Sequence, residues 1–134
     1  MEPDWFLDKL TQWAKNTGIS SLALIGSYAR HEARANSDID LILLTPERQV
    51  YINQRNWIEY FGQVKSYEIE DWGQVISIRV YYQDGPEAEF GFASPEWAEI
   101  PLDSGTKEVI SGGIRILLDE EGILGRAFRE ATRE

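Results

Sequence analysis

Gly26-Ser27 and Asp38-Ile39-Asp40, with ten residues between them, are the residues best suited to chemistry in this sequence. An apolar run, Leu22 to Ile25, leads into Gly26, and a helix is predicted to start there. A helix N-terminus offers unpaired N–H groups and partial positive charge, which suit a phosphate. Gly26 lets the backbone come close to a ligand, and Ser27 either caps the helix or gives its hydroxyl to a phosphate oxygen. A capping box would place Glu or Gln three residues after Ser27, but Arg30 stands there. A cation in the first turn opposes the helix dipole by roughly 0.3–1 kcal/mol, a conflict that an anionic ligand removes. In a strand, Asp38 and Asp40 share one face while Ile39 turns to the core. Two neighbouring carboxylates repel each other unless a cation lies between them. Mg²⁺ suits that place, because it takes hard oxygen ligands and is often shared with substrate phosphates. If the two strands are neighbours, phosphate turn and carboxylate pair meet at one edge, the layout phosphoryl transfer needs. Taken singly, Ser27 reads more readily as an ordinary N-cap and Asp38 as a strand or turn cap; their joint arrangement is what points to a site.

The elements that must position these residues follow from periodicity. Phe6, Leu10, Trp13 and Ala14 form one stripe of a helix over 4–16, stopped by Asn16-Thr17-Gly18. After the strand over 22–25 comes a short helix to about Arg34. A strand over 38–45 follows, apolar on both faces at Leu41 to Leu44, as in a covered central strand. Pro46 opens a helix reaching Phe61, irregular near Asn53. Residues 64–72 and 75–82 read as a hairpin around Gly73, and 88–93 as a further strand after the 84–86 turn. Ser94 is a candidate N-cap, 106–111 a helix closed by Gly112-Gly113, and 114–118 a strand. Leu124, Ala127, Phe128 and Ala131 make the stripe of a last helix. The fold class expected is α+β, or mixed α/β: one domain over 1–134, a central mixed sheet with helices packed on it.

Charge narrows the function. Acids outnumber bases 23 to 13, for a net charge of −10. Gripping duplex nucleic acid needs Lys and Arg to replace counterions, so stable duplex binding is not expected. The field instead draws cations: metal ions, cationic small molecules or a basic protein. There is no cysteine, hence no disulfide or thiolate site. No apolar run is long enough to span a bilayer, and the acidic N-terminus does not read as a signal. A cytoplasmic protein with no membrane partner is the expectation.

The stretch LALIGSYARHEARANSDIDLILL resembles the signature of the polymerase-beta-like nucleotidyltransferase superfamily. It looks especially like the minimal nucleotidyltransferases and the antibiotic-adenylylating enzymes. The match runs through Gly26, Ser27, Ala29, Arg30, Ala33, Ser37, Asp38, Ile39, Asp40 and Leu41, and departs at His31, where the family usually has Gly. The resemblance implies a nucleotidyltransferase fold. It implies nucleotide binding by Gly26, Ser27, Arg30 and Ser37, and catalysis and metal binding by Asp38, Asp40 and a third carboxylate. Glu89, between Ala88 and Phe90, is the best match for the third, with Glu87 as competitor. The activity implied is Mg²⁺-dependent (or Mn²⁺-dependent) transfer of a nucleoside monophosphate, AMP from ATP, to a hydroxyl of a small molecule or protein. Antibiotic-modifying relatives carry a further helical domain, and this chain is too short for one. The expected partners are therefore a nucleotide, an unknown acceptor, and a second copy or another protein completing the cleft. Two other readings stay open: an antitoxin that binds or adenylylates a helical toxin partner, and a catalytically silent domain. Trp57, Trp72 and Tyr67 are all candidates to stack on a base, and nothing in the sequence selects one.

Overall fold

The computed structural model describes residues 3–29, 38–83 and 85–133. In chain order the elements are α1 (Pro3–Lys15), β1 (Ser21–Ile25), α2 (Gly26–Ala29), β2 (Ile39–Leu44) and α3 (Arg48–Asn53). A 3₁₀ segment (Asn56–Phe61) precedes β3 (Val64–Asp71), β4 (Ile76–Tyr82) and β5 (Glu87–Ala93). A second 3₁₀ segment (Pro95–Ala98), α4 (Ser104–Ser111), β6 (Ile114–Asp119) and α5 (Ile123–Ala131) complete the chain. The strands form one sheet in the order β3-β4-β5-β2-β1-β6. β2 and β5 run parallel and the other pairs antiparallel, so the sheet is mixed, as the sequence predicts.

Alternation along β2, β4 and β5 assigns two cores. Ile39, Leu41, Ile78, Val80, Ala88 and Phe90 turn toward α1 and the first 3₁₀ segment. There Phe6, Phe61, Phe90 and Trp57 interlock, with Phe6–Phe61 centroids 5.6 Å apart and Trp57–Phe90 at 4.9 Å edge to face. Such pairs add about 0.5–1.5 kcal/mol each beyond the area they bury. On the opposite face, Ala23, Ile42, Leu44 and Ala93 pack against Trp97, Ile110, Leu124, Ala127 and Ala131 from α4, α5 and the second 3₁₀ segment. The predicted α1 stripe is buried at Phe6, Leu10 and Ala14, with Trp13 partly covered.

Several boundaries differ from the sequence reading. No single helix runs from Pro46 to Phe61. Helix α3 stops at Asn53 because side chains take the carbonyls that its next turn would use: Trp57 Nε1 donates to the Tyr51 carbonyl (3.0 Å) and Arg55 Nη1 to that of Ile52 (2.7 Å). Ser94 stands at the N-cap position of the second 3₁₀ segment, as predicted, but its hydroxyl donates to Glu96 Oε2 (2.7 Å) and makes no capping bond. Asp103 is the N-cap of α4, accepting from the Gly105 N–H at 2.7 Å, so that helix begins two residues before Thr106. Phe128 is exposed, while Leu124, Ala127 and Ala131 form the buried face of α5. Strand β5 starts at Glu87, which is therefore a strand residue and not part of the preceding turn. No helix among the described residues is long and apolar enough to cross a membrane.

Candidate active site

Pairing register brings the predicted carboxylates together. Asp40 on β2 is the register partner of Ile25 on β1 and of Glu89 on β5, and Glu89 is that of Arg79 on β4. One transverse row of the sheet thus reads Ile25, Asp40, Glu89, Arg79. Ile39, Leu41, Ala88 and Phe90 anchor this row by turning into the aromatic core. That leaves Asp40 and Glu89 half-buried on the opposite face. Asp38 lies one residue before β2, and its carboxylate reaches the same cluster.

Arg79 is the centre of the cluster. Its Nη1 lies 3.0 Å from Asp38 Oδ2 and 2.7 Å from Glu87 Oε2, its Nε 3.1 Å from Glu70 Oε1, and its Nη2 3.3 Å from Glu89 Oε2. One guanidinium therefore serves four carboxylates, with Asp40 beside them as a fifth acid. The negative excess shows in the acid strengths. Burial, the Glu89 charge and hydrogen bond, and the Asp38 charge push the Asp40 carboxyl up to about 7, with Arg79 only partly opposing them. Burial and a hydrogen bond with Asp38 also raise Glu87, against the pull of Arg79. Burial works against the Arg79 charge, yet its hydrogen bonds to Glu87 and Glu70 hold the guanidinium more firmly protonated than usual.

Gly26 opens α2 directly at the end of β1, with φ +73°. A methyl group placed there would stand 2.7 Å from Asp40 Oδ2. What Gly26 approaches closely is Asp40, one of the two aspartates of the predicted site. Ser27 follows within α2. Its side chain, together with Arg30, His31 and Ser37, lies outside the described residues.

The structure thus gathers Gly26, Asp38, Asp40 and Glu89, and it adds Glu87 alongside rather than excluding it. Sequence reasoning missed Arg79. Its signal was its place as the one cation in β4, on the face opposite Ile78 and Val80. That signal has meaning only once β4 is known to lie beside β5.

The donor set can be compared with the metal that the superfamily resemblance implies. Among the described residues no three acids or histidines already stand around one point as a finished metal cage. The chemistry of the cluster still fits a hard divalent cation: its donors are all carboxylate oxygens, and their charge is under-compensated. Asp38, Asp40 and Glu89 are the residues that would hold it.

Comparison with known proteins agrees with this fold. The family model described as Polymerase beta, Nucleotidyltransferase matches residues 8–82. That match takes in Gly26, Asp38, Asp40 and Arg79 and ends before Glu87 and Glu89. No curated protein matches the sequence. Among solved structures, an aminoglycoside 6-adenyltransferase from Bacillus subtilis superposes with a TM-score of 0.61 at 13% identity, over 85% of this chain and 40% of that one. Cid1, solved in complex with its short product ApU, superposes with a TM-score of 0.50 at 20% identity, over 67% of this chain and 29% of that one. At these identities the likeness is one of fold, and the chain spans less than half the length of either protein.

Proposed function

The chain belongs to the polymerase beta nucleotidyltransferase family, and from that premise we propose that it transfers a nucleoside monophosphate, AMP from ATP, to a hydroxyl of a small molecule or protein. The observation that carries this reading is the meeting of Gly26, Asp40 and Glu89 at one end of the sheet. The triphosphate lies along the start of α2, where the missing side chain at Gly26 lets the turn seat directly against Asp40. Asp38 and Asp40 sit where the α-phosphate would follow. A divalent cation, Mg²⁺ or Mn²⁺, on Asp38, Asp40 and Glu89 would supply neutralisation of the phosphate charge. Glu89, fixed in register beside Asp40, accepts the proton of the attacking hydroxyl. Arg79 holds Asp38 and Glu87 in place and lowers the cost of gathering so many acids. In the proposed reaction the hydroxyl oxygen bonds to the α-phosphorus, the α–β phosphoanhydride bond breaks, and pyrophosphate leaves.

The test is label transfer from α-labelled ATP with Mg²⁺, using cell lysate as the source of acceptors. Transfer by the wild type that is lost in Asp40→Asn supports the reading. No transfer by the wild type, or undiminished transfer by Asp40→Asn, sinks it.

A further inference from the structure

Next to the carboxylate row the same sheet face carries a second, uncharged row: Ile42, Gly91 and Ser77, register partners across β2, β5 and β4. This row floors a trough of about 570 Å³, a size typical of small-molecule sites, which run to roughly 300–1,000 Å³. Asp40, Glu89 and Arg79 also line it, so it opens directly onto the proposed reaction centre. One flank is the β3–β4 hairpin tip with Trp72 and Val75, and another is α4 with Glu108 and Val109.

The hairpin flank is held in place. Arg48 Nη1 donates to the Gln74 carbonyl (2.6 Å), the Trp72 N–H to the Val75 carbonyl (2.8 Å), and the Gly73 N–H to Asp71 Oδ1 (2.8 Å). Gly91 lets Val75 pack directly on the trough floor: a methyl group there would meet the Leu41 carbonyl and Val75 Cγ1, each at 3.0 Å. Trp72 is 64% exposed, and no aromatic ring among the described residues packs on it. The other two stacking candidates are committed elsewhere. Trp57 is stacked on Trp13 in the opposite core, and Tyr67 lies under the Arg55 guanidinium at 5.2 Å. An exposed indole on a hydrogen-bonded hairpin tip, at the mouth of a trough, is a ready platform for a flat ring.

We infer that this trough is the acceptor site, and that it takes a small molecule with a flat apolar body, a protonated amine and a hydroxyl. The inference rests on the transfer reaction proposed above. In-line displacement requires the nucleophile to arrive opposite the leaving pyrophosphate. With the triphosphate at α2, beside β1, that opposite side is β5 and β4, where the trough floor lies. The ring lies between Trp72 and Val109, and the hydroxyl reaches toward Glu89. The amine is selected by Glu108 on the α4 flank, an acid of the lining that the proposed cation does not occupy.

The probe is 4-(2-aminoethyl)benzyl alcohol, compared with 4-ethylbenzyl alcohol (no amine), phenethylamine (no hydroxyl) and glucosamine (no flat body). Binding is followed by amide and indole NMR shifts of the metal-free, nucleotide-free protein, and AMP transfer is followed separately with α-labelled ATP. The probe should shift the Trp72 indole N–H and the Gly91 amide, and bind about tenfold more tightly than the amine-free alcohol or glucosamine. Phenethylamine should bind comparably and accept no label. Trp72→Ala should weaken probe binding about tenfold and Glu108→Gln about threefold, both with the fold retained because these side chains are exposed. Absence of shifts at the trough, equal affinity for the amine-free alcohol, or indifference to both substitutions overturns the inference. ATP alone shifting Trp72 and Gly91 overturns it too, since the trough would then hold the nucleoside. Trough binding with no label transfer to any acceptor counts against nucleotidyl transfer and leaves the binding site standing. Label transfer to the probe that ignores Trp72→Ala and Glu108→Gln does the reverse.

Discussion

Gly26 and Asp40 are fitted against each other: a methyl group on Gly26 would stand 2.7 Å from Asp40 Oδ2, and Gly26 holds φ +73°. Two separate constraints therefore act on one position, a backbone conformation that disfavours side chains and a carboxylate that leaves no room for one.

Gly26→Ala should consequently be costly out of proportion to its size. Strain from the left-handed conformation alone costs about 1 kcal/mol, and displacement of Asp40 adds to it. The expected outcome is a lowered Tm and loss of nucleotide binding by calorimetry with ATP and Mn²⁺. Ala at this position with unchanged Tm and unchanged affinity would show that Asp40 can move freely and is not held by the turn.

Arg79 should matter most when the carboxylates are charged. Removing it leaves Asp38, Glu70, Glu87 and Glu89 without their shared cation. Arg79→Gln should destabilise the metal-free protein by about 2 kcal/mol at pH 8 and much less at pH 5. Mn²⁺ should restore part of the loss at pH 8. Denaturant melts at the two pH values, with and without Mn²⁺, check this. Equal destabilisation at both would make Arg79 a packing residue.

Asp40 also predicts a pH dependence without any substitution. Its folded-state carboxyl titrates at about 7 against an ordinary value of 3.8, raised first by burial and then by Glu89 and Asp38. Between those values the folded state binds more protons than the unfolded one, so stability falls as pH rises through that window. With a chelator present, Tm should decline from pH 5 to pH 8, and Asp40→Asn should decline less. A wild-type Tm that rises over this interval contradicts the buried like-charge arrangement.

The fold and half of the site were legible because both depend on local pattern. Alternation over 38–44 put Asp40 opposite Ile39 whatever the neighbouring strands were, and the α1 stripe marked its buried face. Arg79 and the trough were not legible, because their meaning comes from which strands are neighbours. Glu70, Arg79, Glu87 and Asp38 sit on three strands and a strand entrance far apart in sequence, and no local rule joins them. Trp72 was indistinguishable from Trp57 as a composition. Only the folding of one into an aromatic core and of the other onto a hairpin tip separates them. At Ser94 the N-cap position was legible but the missing capping bond was not: its hydroxyl donates to Glu96 instead, a local side-chain bond that competes with capping.

The last prediction separates the two glutamates of β5. Both lie on one face, and both touch Arg79. Their neighbours differ. Glu89 is the register partner of Asp40, whereas Glu87 is that of Tyr81 and reaches Asp38 and Arg79 from the strand's first residue. In the proposed reaction the base must be fixed beside the aspartates that would hold the cation, and Glu89 is held there by a residue on either side in the core. Glu87 instead shares the Arg79 guanidinium at 2.7 Å, so its charge serves to orient that side chain. Glu89→Gln should therefore abolish transfer while ATP still binds, a loss of about a hundredfold or more in kcat for removal of a general base. Glu87→Gln should keep most of the transfer and show a modest stability change, since it removes one of four partners of Arg79. Single-turnover transfer and separate ATP titrations of both variants decide the matter. Abolished transfer in Glu87→Gln with near-normal transfer in Glu89→Gln would move the base to Glu87. The Asp40–Glu89 pairing would then be a structural acid pair, which shares a proton and takes no part in the reaction.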